Sequence, residues 1–115
     1  MRIGRLAQNI ACHYAHKGNK FIRSTLNQRK INSEQINTAL LDIPDEYTRA
    51  WEETKKRLTH TFQLSSKNEQ INTITRFLSG RQFSHFIITE IINKLNSKGF
   101  DQVQALENLH WSKAS

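Results

Sequence analysis

Apolar residues along the chain recur at helical spacing and rarely alternate. Ile3, Leu6, Ala7, Ile10 and Tyr14 fall at i, i+3, i+4, i+7 and i+11, one stripe of a first helix. Gly18-Asn19 supplies a stop. A second helix over 20–29 turns Ile22 and Leu26 inward, and a third over 33–41 turns Ile36, Ala39 and Leu40 inward, with Ile43 in register. Asn32 is the expected N-cap of the third helix, with Gln35 completing a capping box and Ile31 stapled onto Ile36. Pro44 closes the unit, because proline disfavours helix at the preceding residue.

The plan then recurs. Tyr47, Ala50, Trp51, Leu58 and Phe62 line a fourth helix, and the polar stretch LSSKN leads to a fifth with Ile71, Ile74, Phe77 and Leu78 inward. A sixth helix follows Ser84 and carries Ile87, Ile88, Ile91, Ile92 and Leu95, with Phe83 placed to staple onto Ile88. At an offset of 52 positions Ile22 falls on Ile74, Leu26 on Leu78, Arg29 on Arg81, Ile31 on Phe83 and Leu40 on Ile92. A three-helix unit of this size buries its apolar faces poorly alone, so the duplication implies two units packed together. The expected fold is all-α: tandem three-helix repeats over 1–43 and 44–96, stacked as a short right-handed helical solenoid. A tail over 97–115 follows, with a short helix bearing Ala105, Leu106 and Leu109. Strand patterns and tight hairpin signals are absent.

Composition agrees with a thin helical assembly. The chain has 115 residues, 37% of them hydrophobic, and one proline. One cysteine, Cys12, excludes an internal disulfide and fits a reducing compartment. With no apolar run long enough for a bilayer and no signal-like leader, the expectation is a cytoplasmic monomer without membrane attachment. Net charge is +7, unevenly spread: residues 1–33 hold seven Lys/Arg and no Asp or Glu. Such a field attracts nucleic acid or an acidic protein surface.

Candidate chemistry is sparse. No P-loop, dinucleotide fingerprint, HExxH or paired CxxC occurs. Cys12, His13 and His16 lack an evident fourth ligand, so no metal is expected, and Cys12 reads as a small packed residue. His60, His85 and His110 are scattered. Asp45 and Glu46 suit a helix start, and Glu52 and Glu53 suit pairing one turn on with Lys55, Lys56 or Arg57. No catalytic residue and no cofactor is assigned. The cations are more informative: Lys20, Arg23, Arg29, Lys30, Arg76 and Arg81 are candidates for a recurring positive ridge able to contact phosphates or an acidic groove. No aromatic platform is interleaved with them in the sequence, which counts against binding of single strands.

Lys17-Gly18, Ile22-x-x-x-Leu26, Arg29, Ile31, and then Arg76-Phe77-Leu78 with Arg81 and Phe83, resemble the RecX family of bacterial RecA regulators over roughly residues 5–96. The family has three three-helix repeats, and this chain resembles the second and third. RecX proteins carry glycine just before the staple residue, where the chain leaves the helix with positive φ. Here Lys30 and Gln82 stand there, at a cost on the order of 1 kcal/mol if the left-handed geometry is kept. The resemblance implies a non-enzymatic inhibitor seated in the groove of the RecA–DNA filament. There it would hinder ATP hydrolysis, strand exchange and co-protease activity, and so modulate recombination, DNA repair and the SOS response, with DNA phosphates contacted directly at the basic ridge. The competing expectation is a small basic DNA-binding module that acts without RecA.

Overall fold

Six helices carry the regular structure in a computed structural model that describes residues 3–61 and 66–98; no strand occurs among these residues. In chain order they are α1 (Ile3–His13), α2 (Asn19–Gln28), α3 (Ser33–Leu41), α4 (Glu46–Thr61), α5 (Lys67–Gly80) and α6 (His85–Lys98). Phe62, His110 and the expected terminal helix lie outside the described residues.

Apolar stripes determine which helices meet. Ala7, Ile10 and Ala11 of α1 pack with Ile22 and Leu26 of α2, Ile36 and Ala39 of α3, and the flanking Ile31 and Ile43. A separate core joins Ala50 and Leu58 of α4, Ile74 and Leu78 of α5, and Ile88, Ile91 and Leu95 of α6, with Phe83 beneath the α5–α6 turn. Ile22, Leu26, Ile74, Leu78, Ile91 and Leu95 are fully covered, and each such side chain contributes roughly 1.5–3 kcal/mol of hydrophobic transfer. The molecule is therefore two helical triplets, each around its own small core, in an assembly of 47 × 33 × 20 Å.

The turns that close α2 and α5 have the same construction. After α2, the Lys30 N–H donates to Asn27 O at 2.9 Å and the Ile31 N–H to Leu26 O at 3.1 Å. After α5, Gln82 donates to Ser79 O at 2.9 Å and Phe83 to Leu78 O at 3.1 Å. These paired bonds are a Schellman closure, which needs a left-handed residue at its apex. Lys30 and Gln82 take that conformation, with φ of 62° and 63°. The apolar residue that follows, Ile31 or Phe83, then folds back over the helix end and is buried. Asn32 caps α3 by accepting from Gln35 N–H at 2.9 Å, and Ser84 Oγ accepts from Ile87 N–H at 3.2 Å at the start of α6.

The first helix departs from its sequence pattern. It ends at His13, and Gly18 is the residue that starts α2, with an ordinary φ of −70°. Residues 14–18 instead form tight turns, with Ala15 N–H donating to Cys12 O and Lys17 N–H to Tyr14 O. Gly18 is required for a different reason than stopping a helix. Its N–H donates to Arg81 O at 2.8 Å, so the two backbones touch. A Cβ there would lie 2.0 Å from Gln82 O and 2.6 Å from Phe83 Cα, inside any tolerable contact.

The left-handed apices give a test. Lys30→Gly and Gln82→Gly each relieve a Cβ clash at positive φ, offset in part by the greater freedom of glycine when unfolded. Each variant is expected to gain roughly 0.5–1 kcal/mol in urea unfolding. A loss of stability in both would show that the side chains contribute more than the strain costs.

Candidate functional site

The α1–α2 turn is gripped from two sides by polar groups. From α4, Arg49 reaches into the turn and is only 5% exposed. Its guanidinium donates to Pro44 O at 2.7 Å, Ala15 O at 3.2 Å and Lys17 O at 2.5 Å, and to the Asn19 side-chain carbonyl. Burial lowers its pKa while the Glu46 and Asp45 carboxylates oppose that shift, and a guanidinium remains charged regardless. From the α5–α6 turn, Arg81 donates to His16 O at 3.3 Å and pairs with Glu53 of α4 at 2.8 Å, its guanidinium lying 4.5 Å above the Phe77 ring. Those carbonyls are free to accept because residues 14–18 are not helical. The guanidinium groups thus explain where α1 ends.

Glu46 completes the seam. One carboxylate oxygen accepts from Asn19 N–H at 3.0 Å and from Ser84 N–H at 3.3 Å, which joins the N-terminus of α2 to that of α6. Asp45 has the local role expected at a helix start: hydrogen bonds from Thr48, that of the hydroxyl foremost, hold its carboxyl below the usual range. Glu52 pairs with Lys55 at 3.0 Å and Glu53 with Lys56 at 3.2 Å, as helical spacing implies, and Glu53 adds the bond to Arg81.

Beside this seam an open groove of about 900 Å³ runs between α2 on one side and the end of α5 with the start of α6 on the other. Lys20, Arg23 and Asn27 line one wall, Ser79, Gln82 and His85 the other, and Phe83 and Ile88 contribute apolar surface. Among the described residues neither Lys20 nor Arg23 has an ion-pair partner. The lining acid, Glu46, is committed to two backbone amides. With two cations against this one carboxylate, the groove is a concave surface of net positive charge.

Of the six candidate cations, the structure brings Lys20 and Arg23 together here. Arg29 and Lys30 are exposed at the far end of α2, and Arg76 is exposed on α5, one turn before Ser79. Arg81 is set apart: its guanidinium is held within the seam rather than offered to a partner. Cys12, expected to pack inward, is exposed, because α1 buries Ala7, Ile10 and Ala11 instead. His13 and His16 do not share a helix face, since α1 stops between them. No group of three His, Cys, Asp or Glu able to hold a metal occurs among the described residues. None of the described helices is long and apolar enough to cross a membrane.

Two features escaped the sequence reading. Glu46, Arg49 and Glu53 lie at i, i+3 and i+7, a polar stripe beside the apolar one on α4, and that spacing was the available signal. Phe86, 71% exposed in the first turn of α6, lies outside the apolar stripe assigned to that helix and received no reading.

No protein-family model, curated protein or solved structure matches this chain.

Replacing Arg49 with Met keeps the bulk but leaves three backbone carbonyls without a donor. At roughly 1–3 kcal/mol for each buried group left unpaired, a loss of at least 3 kcal/mol in urea unfolding is expected. A loss under about 1 kcal/mol would mean that water replaces the guanidinium. His16 supplies a pH test. Burial first, then the Arg81 guanidinium, hold its pKa below the usual 6.5. The unfolded chain then binds more protons, so this contribution is complete above about pH 6.5 and lost as pH falls toward the folded value. His16→Gln should accordingly show a smaller drop in melting temperature between about pH 7.5 and pH 5.5 than the parent chain.

Proposed function

We propose that this protein is a non-enzymatic regulator of the RecA recombinase, acting in the cytoplasm as a RecX-like inhibitor. In this reading the two helical triplets are consecutive repeats of a short right-handed solenoid that lies in the groove of the RecA–DNA filament. The observation that carries the reading is the pair of Schellman turns at Lys30 and Gln82, with φ of 62° and 63° at positions 52 apart. The resemblance calls for a left-handed residue directly before the staple in each repeat, and both positions adopt it without glycine. Matching turns at matching positions support duplication of the whole helix–turn–helix unit.

The proposed mechanism is steric and electrostatic. The exposed cations Lys20, Arg23, Arg29, Lys30 and Arg76 meet acidic protein surface and DNA phosphates, while the curvature of stacked triplets follows the filament. Arg81 acts within the protein by holding the triplets at their relative angle. A bound solenoid would then block the conformational cycle of RecA without any chemistry of its own.

RecA ATPase activity on single-stranded DNA is the test. Purified protein added at stoichiometric excess should reduce the rate severalfold, and reversing the charge of Arg23 and Lys30 together should restore it. An unchanged ATPase rate at that excess rejects the proposal for this chain.

A further inference from the structure

The flank of the second core between α4 and α6 is incompletely covered. Tyr47 and Trp51 of α4 and Ile87 of α6 pack against that core and are only half-buried. Lys94 of α6 lies over both rings, its ammonium 4.4 Å from the centre of Trp51 and 5.6 Å from that of Tyr47. It has no carboxylate partner among the described residues. An apolar strip with one cation at its edge suits a short amphipathic helix that carries an acid beside its stripe. The sequence supplies one directly after α6. In DQVQALENL, residues 101–109, helical spacing gathers Val103, Ala105, Leu106 and Leu109 on one side, and Asp101 and Glu107 flank them. Asp101 with Gln104 three residues on is a helix-start signal, and Phe100 precedes it.

We propose that residues 101–109 fold back as a helix over the α4–α6 crevice, with Leu106 and Leu109 on Trp51 and Ile87 and with Glu107 paired to Lys94. Reach selects this surface over the cationic groove. The groove lies at the start of α6, and 14 residues of helix place the far end of α6 about 20 Å away. Gly99 and Phe100 join Lys98 to Asp101, a link of roughly 10 Å at full extension, and Lys94 stands one turn back from that link. The segment then closes this end of the assembly to any other amphipathic helix. The inference concerns how the second triplet is covered and does not rest on an encounter with RecA.

Fluorescence of the intact chain carrying Trp111→Phe, in which Trp51 is the one remaining tryptophan, tests the contact. Adding Leu106→Ser with Leu109→Ser should raise acrylamide quenching of Trp51 about twofold and move its emission to the red, because the indole loses its cover. A nitroxide on Asn108→Cys, in a chain with Cys12→Ser, tests the geometry. It should broaden the amide resonances of Trp51 and Lys94 more strongly than those of Lys20 and Arg23. Nitroxide-bearing chains mixed with separate isotope-labelled chains should leave all of these signals sharp, since the contact is made within one chain. Unchanged quenching in the double variant would overturn the proposal. So would stronger broadening at Lys20 and Arg23, or broadening in the mixture, which would give the crevice to a second copy.

Discussion

A buried guanidinium coordinated by main-chain carbonyls holds this molecule together. Arg49 leaves water almost completely and is received by oxygens of Pro44, Ala15 and Lys17, with Glu46 on its own helix. Desolvating a cation is costly, and the arrangement is stable only because several donors find acceptors at once. The same bonds require residues 14–18 to remain non-helical, since a continuing helix would use those carbonyls itself. That unwound turn brings Gly18 against the α5–α6 backbone, and the glycine admits the contact. One side chain of α4 thereby determines where α1 stops, how α2 begins and how the triplets meet.

The groove is a product of that junction. Its walls come from different triplets, so its width follows the angle between them, which Arg49, Arg81 and Glu46 hold. Part of the positive charge that the sequence gathers at the start of the chain lies along α2, opposite the start of α6. Glu46, the acidic residue that could neutralise it, is turned toward backbone amides. This carboxylate ties the triplets together, and Lys20 and Arg23 outnumber it along the groove.

The helices and their inward faces were legible in the sequence because periodicity reports how a residue is oriented within its own element. Ile22, Leu26, Ile74 and Leu78 are buried where the stripes placed them, and Asn32 and Ser84 cap the helices they precede. Periodicity says nothing about which distant group a polar side chain meets. Arg49 finds its acceptors some thirty positions earlier, and Glu46 links residues 19 and 84. The end of α1 was misplaced for the same reason, since its cause lies on another helix. Arg81 occupies the terminal position that its spacing indicated, yet its guanidinium turns into the seam, toward a carbonyl and a carboxylate that no local pattern reveals.

The separation of the two cores also shapes how the protein responds to temperature. Each triplet is held by apolar burial, which carries a large positive heat capacity of unfolding and weakens on cooling. The junction is made of hydrogen bonds and ion pairs, and exposing polar surface changes heat capacity in the opposite sense. Cooling therefore weakens the two cores more than it weakens the junction between them.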